Sequence, residues 1–299
     1  MSPHAHLASV PLAARRRLRQ GVEAAGFLLL RASGAAVMAV LVLIILDIAL
    51  QGWGAISWEF LSQPPRQGMT AGGIWPAIAG TLVVSLITMV FAMPVGMFAA
   101  IYLNEYAHQG RLTRLIRLSI RNLSGVPSIV YGLFGVALFV SLMDLGASVL
   151  SSGLTLGLLT LPVTITASEE ALKTVPRSFR DGALALGATR WQAVRTNVLP
   201  YAVPGMLTGA ILGLARAAGE TAPILFTGVA FFLPFLPASP FDQFMALPYH
   251  LYILATQHHA TLQVRPLAYG TALVLIVLVL LLNVSAIGVR YHFRRKLRQ

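Results

Sequence analysis

The sequence contains no cysteine, which excludes disulfide bonds, thiol catalysis and cysteine-based metal sites. Charge is scarce too: Asp, Glu, Lys and Arg make up 11% of the 299 residues, against about 25% in a soluble domain. Hydrophobic residues make up 57%, so too few polar side chains remain to cover a soluble protein of this length. This composition excludes an ordinary soluble enzyme and a disordered or fibrous chain. It indicates a membrane protein.

Six apolar segments are long enough to cross a bilayer as helices, which takes about 20 residues. They are residues 34–50, 74–103, 126–143, 150–167, 199–232 and 266–289. The fourth is the least apolar, because Pro162 and several Gly, Ser and Thr residues dilute it. The fifth contains Arg216, Glu220 and Pro223 and is too long for one straight span, so we expect it to break near its outer end. The fold class predicted is an all-α membrane protein with six transmembrane helices.

Basic residues outnumber acidic ones by 22 to 10, and their distribution predicts the orientation. Of the 22, 19 lie in the N-terminal arm, in the C-terminal tail and in two alternate connections between spans. Because Lys and Arg are retained on the cytoplasmic side, both termini are predicted to be cytoplasmic. The charge therefore needs no nucleic acid to explain it. The predicted parts are a basic arm (1–33), a first transmembrane helix (34–50) and a basic tail (290–299).

The connection at 168–200 has the pattern of two short amphipathic helices. Apolar residues recur from Phe179 to Val194, and Gly187 can end the first helix with a positive φ. Thr189 is then a candidate N-cap for the second. Such an exposed basic and apolar surface binds either the membrane interface or a groove on a partner protein, and the pattern leaves both open.

This connection resembles the cytoplasmic coupling loop of ABC-importer permeases. That pattern is Glu-Ala-Ala, three residues, Gly, nine residues, Ile, one residue and Leu-Pro. It falls here on Asp181-Gly182-Ala183, Gly187, Asn197 and Leu199-Pro200, with Asp, Gly and Asn as departures.

The run Ala215-Arg216-Ala217-Ala218-Gly219-Glu220-Thr221-Ala222-Pro223 is similar to the phosphate-specific permeases of the PstA type. Residues 123–134 and 101–106 resemble the same family. The resemblance covers about 74–289 and implies an ABC permease transmembrane domain of the MetI-like architecture, with its coupling loop at 168–200. It also implies a multi-pass location in the bacterial inner membrane.

The resemblance implies a set of partners and no cofactor. These are a second homologous permease subunit, a dimer of ATP-hydrolysing subunits, a periplasmic phosphate-binding protein and membrane lipids. The chain has no nucleotide-binding loop of the Gly-x4-Gly-Lys-Ser/Thr kind, so we expect a non-catalytic permease that is driven by its partner. The residues expected to couple it to the ATPase are Arg180, Asp181, Ala183, Leu186, Gly187, Ala188, Thr189 and Trp191.

Arg216 and Glu220 are the strongest candidates for the substrate pathway. An ionisable residue at membrane depth costs at least about 2.5–3.5 kcal/mol and normally marks a path or a pair. In the first interpretation Arg216 binds phosphate with two hydrogen bonds while Glu220 orients it. In the second, the pair only neutralises itself and fixes helix packing. Thr221 lies beside the pair, and Ser128 belongs to a polar group that either lines the pore or satisfies the backbone around Pro127.

Three further features have plainer interpretations. A ridge of small residues is expected to pack against another helix; it comprises Gly205, Gly209, Gly213 and Ala217. Arg111, Arg114 and Arg117 are expected to meet anionic headgroups or the ATPase. The outer histidines lack the spacing of a metal site, and we expect them on the surface; they are His250, His258 and His259.

Other functions stay open alongside the phosphate permease. The chain can be the partner permease of the same system or a permease for another oxyanion such as molybdate or sulfate. A self-sufficient secondary transporter is less well supported, because no pair of inverted repeats is visible. A membrane-bound enzyme is disfavoured, because no clustered carboxylates or His ligands face each other across the spans.

Overall fold

The computed structural model of the chain describes residues 12–296. The helices are α1 (Leu12–Gly52), α2 (Trp58–Ser62), α3 (Trp75–Ile101), α4 (Arg111–Leu123), α5 (Ser128–Gly135), α6 (Val149–Lys173), α7 (Arg177–Ala185), α8 (Arg190–Ala193), α9 (Leu199–Gly219), α10 (Ala222–Thr227), α11 (Leu247–Thr256) and α12 (Thr261–Lys296). π-helical turns at Tyr102–Tyr106, Val136–Leu142 and Val194–Val198 continue α3, α5 and α8. Two short antiparallel strands, β1 (Pro65–Arg66) and β2 (Ala71–Gly72), pair Pro65 with Gly72.

The all-α membrane architecture is confirmed. Within residues 12–296, five helical stretches are long and apolar enough to cross a membrane, and a sixth span results when α4 and the helix at 128–142 count as one bent pair. That pair is bent by 104°, so the third predicted span is preceded by a separate helix in a different direction. The cytoplasmic placement of the termini stays a prediction.

The chain divides into two compact units at Gly52. The first contains α1, which is longer than the predicted helix at 34–50 and includes much of the predicted arm. The arm (1–33) and the tail (290–299) lie partly outside the described residues. The second unit contains α2 to α12. Helices α3 and α6 finish, and α9 begins, at one end of this unit, which we call the basic end.

Helix α6 lies in the centre of the second unit, between α3 and α9. A Cβ atom added at Gly209 would lie 2.3 Å from the Cβ of Ala167, so only glycine allows α9 to approach α6 this closely. Gly205 meets Ala171 in the same way, at 2.7 Å. The small-residue ridge therefore packs against the fourth span. Small side chains are the usual means of close helix packing in membranes, where lipid provides no hydrophobic force between helices.

Protein rather than lipid surrounds most of α6, which explains its low hydropathy. Its buried threonine hydroxyls donate to backbone carbonyls; Thr155 donates to Ser151 O at 2.7 Å. Thr88 of α3 donates to Gly153 O of α6 at 3.1 Å and so joins the two helices. The helix also continues to Lys173, so residues 168–173 of the predicted coupling loop are the last turns of a span.

A glycine turn joins the two short helices α7 and α8, as the sequence predicts. Gly187 adopts a φ of +85°. Thr189 and Gln192 then form a capping box: the Gln192 amide donates to Thr189 Oγ1 at 3.3 Å, and the Thr189 amide donates to Gln192 Oε1 at 2.8 Å. The predicted turn and N-cap are therefore confirmed.

The predicted break in the fifth span is also confirmed, and it lies slightly earlier than Pro223. Helix α9 ends at Gly219, Glu220 is extended with φ −76° and ψ 131°, and α10 begins at Ala222. Glu220 is therefore beyond the end of α9 and does not share a helical face with Arg216.

The prediction that the outer histidines lie on the surface is wrong for two of the three. His250 and His258 are 3% and 6% exposed, while His259 is exposed. The reason is α11, which folds the second half of the outer segment against α12 and α3. His258 accepts from the Ala260 amide at Nδ1, so its Nε2 carries the proton and donates to Gly68 O at 2.7 Å.

The buried His250 predicts a pH-dependent outer segment. Burial, with a smaller contribution from His258, lowers the pKa of His250 from 6.5 to about 4. When α11 opens, this histidine regains its ordinary pKa, so between pH 6.5 and about 4 the open form binds more protons. The contribution of neutral His250 to the stability of α11 is therefore fully present above pH 6.5 and is lost as the pH drops towards 4.

Hydrogen exchange of the α11 amides, corrected for intrinsic rates, tests this directly. Protection should decrease from about pH 7 to about pH 5 in the native protein. The decrease should be smaller in His250→Leu, which cannot titrate, and unchanged in His259→Leu, which replaces an exposed histidine. Equal protection at both pH values in the native protein would contradict the prediction.

The turn between α7 and α8 predicts a substitution effect that comes from the backbone alone. No described atom lies within 4 Å of a Cβ placed on Gly187, so Gly187→Ala causes no collision. It should still destabilise the turn by about 1 kcal/mol, because the left-handed region disfavours residues with a Cβ. Gly187→Asn is the matched control, since Asn tolerates this region. Hydrogen exchange at 188–193 should rise in the Ala variant more than in the Asn variant, and equal exchange would exclude a backbone cause.

Candidate transport pathway and coupling surface

Arg216 and Glu220 form an ion pair where α9 ends. Arg216 Nε lies 3.2 Å from Glu220 Oε1, and the side chains are 43% and 18% exposed. Arg216 is in the last turn of α9, where a positive charge interacts favourably with the helix dipole. The pair uses only Nε, and the described residues accept no hydrogen bond from the two terminal guanidinium nitrogens. These nitrogens remain able to donate to an oxyanion.

The other predicted pathway residues lie on elements next to the break in the span, and neither side chain is hydrogen-bonded to the Arg216–Glu220 pair. Thr221 precedes α10 and its side chain makes no capping hydrogen bond. Helix α5 packs on α10, and a Cβ on Gly132 would lie 3.1 Å from Pro223 Cα. Ser128 is one turn before Gly132 on that helix. Tyr131 donates to Leu123 O at 2.9 Å, which supports the interpretation that its hydroxyl satisfies the backbone around Pro127.

The segment α7–α8 presents apolar side chains at the basic end. Leu186 is 91% exposed and Trp191 is 49% exposed, although both are large and apolar. Asp181, Gly187 and Thr189 are exposed beside them, and Ala188 is half-buried. Ala183 points inward and is buried. An exposed apolar patch that is edged by polar residues is typical of a protein interface.

Arg180 lies on the same segment but points inward, towards the ends of α3 and α6, and its expected role in coupling to the ATPase stays a prediction. Its Nε donates to Glu105 Oε2 at 3.0 Å and its Nη2 donates to Glu105 Oε1 at 2.7 Å. The backbone carbonyls of Val175 and Leu172 accept at 2.8 and 3.0 Å. The hydrogen bonds to Glu105 raise the pKa of Arg180 above its ordinary value.

A second inward arginine lies nearby on α4. Arg117 Nε donates to Glu169 Oε1 at 3.0 Å, and its Nη2 donates to Leu103 O at 2.7 Å. Arg117 therefore points into the protein, and the prediction that it meets lipid headgroups is wrong. Arg111 and Arg114 are exposed. Sequence reasoning missed Glu105 and Glu169. The signal was present, because they are two of only ten acidic residues and both lie where a span reaches a basic connection.

A groove of about 580 Å³ opens beside α7 and α8 at this end. Asn104 and Glu105 form one wall, and Arg177 and Arg190 belong to the other. Among the described residues, no group of three or more His, Asp or Glu side chains is placed to hold a metal ion. The arrangement offers charged and apolar docking features.

Residues 92–299 match a family described as the binding-protein-dependent transport system inner membrane component. Phosphate transport system permease protein PstA 1 of Mycobacterium tuberculosis H37Rv is 34% identical over 295 residues, which are 96% of this chain and 92% of that protein. PstA of Yersinia pestis is 36% identical over 76% of this chain and 75% of its own length. The probable ABC transporter permease YqgI of Bacillus subtilis is 32% identical over 84% and 89%.

Solved structures agree on the fold. A bacterial ABC transporter involved in the import of alginate aligns with a TM-score of 0.65 at 14% identity, covering 92% of this chain and 99% of that one. The MetNI methionine ABC transporter aligns with a TM-score of 0.56 at 19% identity, covering 74% and 94%. The family match spans well over half of the chain, and the relatives are more than 30% identical over most of it. The chain therefore belongs to the binding-protein-dependent transport system inner membrane components.

Proposed function

We propose that this chain is a PstA-type permease subunit that forms half of a pathway for inorganic phosphate in an ATP-driven importer. Three relatives that are named phosphate transport permeases, from Mycobacterium tuberculosis, Xylella fastidiosa and Yersinia pestis, support the substrate. The second half of the pathway is a homologous permease, and a periplasmic binding protein delivers phosphate to the outer side. A separate ATPase dimer supplies the energy, since the sequence has no nucleotide-binding loop.

The observation that carries this proposal is the partly satisfied guanidinium of Arg216 at a break in a membrane span. Phosphate presents several oxygens, and two parallel N–H donors of one arginine match two of them. Glu220 occupies Nε and orients the group, and its negative charge prevents phosphate from binding so tightly that it stays in the pathway. Thr221 and Ser128 line the same route as weaker hydrogen-bonding groups.

The exposed surface of α7–α8 is proposed to engage the ATPase. Leu186 and Trp191 enter an apolar groove on that subunit, with Asp181, Gly187, Ala188 and Thr189 around them. Ala183 supports the surface from within, because its side chain is buried beneath it. ATP-driven movement of the partner would then displace α7–α8 and, with it, the inner ends of the spans.

The alternative within this class is a permease for another oxyanion, because an arginine also binds sulfate or molybdate. Reconstitution with the ATPase, the second permease and the binding protein separates these. We expect phosphate to stimulate ATP hydrolysis and sulfate to leave it unchanged. Stimulation by sulfate alone would overturn the substrate, and uptake by this chain without the ATPase would overturn the class.

Arg216→Gln should abolish phosphate uptake while leaving the assembled complex intact. The substitution keeps polar atoms and similar length but removes the charge and the paired donors that bind an oxyanion. Uptake into vesicles of stated protein content is the measurement, with co-purification of the ATPase as the check on assembly. Arg66→Gln, on an exposed residue of β1 in the outer segment, is the matched control and should transport normally. Native uptake by Arg216→Gln would remove Arg216 from the pathway.

Leu186→Ser should weaken ATPase binding by about tenfold or more, since a central interface residue contributes about 2 kcal/mol or more. The fold should not change, because the side chain is 91% exposed. Leu262→Ser is the matched control, as Leu262 is 87% exposed at the start of α12. The affinity of the purified permease pair for the ATPase measures both. An equal affinity of the Leu186 and Leu262 variants would exclude α7–α8 as the docking surface.

A further inference from the structure

Two arginines at the basic end bind the same pair of helix ends from two different segments. Arg180 of α7 reaches Glu105, in the π-helical turn after α3, and the carbonyls of Leu172 and Val175 at the end of α6. Arg117 of α4 reaches Leu103 O in that same turn and Glu169 of α6. Each arginine therefore joins the end of the second span to the end of the fourth.

Both ion pairs are largely buried rather than exposed on the surface. The side chains of Arg180 and Glu105 are 20% and 7% exposed, and those of Arg117 and Glu169 are 20% and 6% exposed. The carbonyls involved lie at or just beyond helix ends, where a carbonyl lacks the i+4 amide donor that it has inside a helix. A guanidinium satisfies several such acceptors at once in a fixed geometry, which the single ammonium of lysine cannot do.

The two arginines differ in what they hold. Arg117 belongs to α4, which leads into the third span, whereas Arg180 belongs to the segment proposed to engage the ATPase. Among the described residues, no other side chain of α7 is hydrogen-bonded to α3 or α6; Phe179 packs edge-on against Tyr201 of α9 with ring centroids 5.6 Å apart. Apolar contacts permit sliding, while a bidentate ion pair with two additional carbonyls sets distance and direction.

We infer that Arg180 is a positioning residue that transmits the displacement of α7–α8 to the inner ends of α3 and α6 through Glu105, Leu172 and Val175. This inference rests on the proposed function of α7–α8 as the docking surface for an ATPase. Arg180 itself does not bind the ATPase. Without Arg180, the ATPase still docks and still hydrolyses ATP, and its movement still reaches α9, because α8 continues into that span through residues 194–198. The ends of α3 and α6, by contrast, lose the hydrogen-bonded link to α7 and keep only the short connection at 174–176 and apolar contacts.

The test is the amount of phosphate taken up per ATP hydrolysed, measured in vesicles that contain the complete importer. We expect Arg180→Gln to lower this ratio by about fivefold or more, the range of typical coupling between sites, while ATPase affinity stays native. Glu105→Gln should lower it in the same direction. Arg180→Lys keeps the charge without the bidentate geometry and should give an intermediate ratio, which keeps the test valid if the Gln variant does not fold.

Two matched controls separate transmission from stability. Arg117→Gln breaks an ion pair of similar burial without touching α7, so it should lower the amount of assembled complex but keep the native ratio. Arg66→Gln removes an exposed charge from the outer segment, away from α7, and should change neither quantity. A merely structural role for Arg180 would reduce uptake and hydrolysis together and leave their ratio unchanged.

A native ratio in Arg180→Gln, or an equal fall in Arg117→Gln, would overturn the inference. Loss of ATPase binding in Arg180→Gln would also overturn it, because Arg180 would then be a docking residue. These outcomes are distinct from failure of the proposed function. That failure appears as native ATPase binding in Leu186→Ser, or as uptake without the ATPase, whatever substitution Arg180 carries.

Discussion

The close approach of α6 to α3 and α9 is the constraint on which the rest of the second unit depends. Lipid is as apolar as the helices, so it provides no force that drives them together. The helices associate because Gly205 and Gly209 let α9 lie against Ala171 and Ala167, and because threonine hydroxyls are satisfied within this layer. A segment of modest hydropathy thus becomes the centre, and the most apolar helices are left to face lipid.

In helices packed this tightly, the backbone carbonyls at the helix ends still need hydrogen-bond donors from elsewhere. At the basic end, α3 and α6 finish beside each other, and Arg117 and Arg180 use their carbonyls together with Glu105 and Glu169. A rigid membrane layer is therefore joined through hydrogen bonds to segments outside it. Mechanical coupling requires such a connection, since a partner protein can move the spans only through elements that hold their ends.

The sequence predicts the features that depend on local chemistry. The positive φ of Gly187, the N-cap at Thr189 and the break after Gly219 all follow from residue types whose backbone preferences are strong. It does not predict the direction of α4 or the burial of His250 and His258, because these depend on which distant helix lies alongside. Arg180 shows the same limit: the sequence places it in the coupling segment, and only the fold brings it to Glu105, 75 residues earlier.

Two arginines of this chain, Arg180 and Arg216, differ in how many of their hydrogen-bond donors are already used. Arg180 makes five hydrogen bonds to described residues and is mostly buried, so it has little capacity left for a ligand. Arg216 makes one and is 43% exposed, although it lies within a membrane span. A charge at that depth is costly unless it is compensated. In an anion importer, the substrate itself can provide part of that compensation, so a guanidinium left partly free is the arrangement that a transient phosphate site requires.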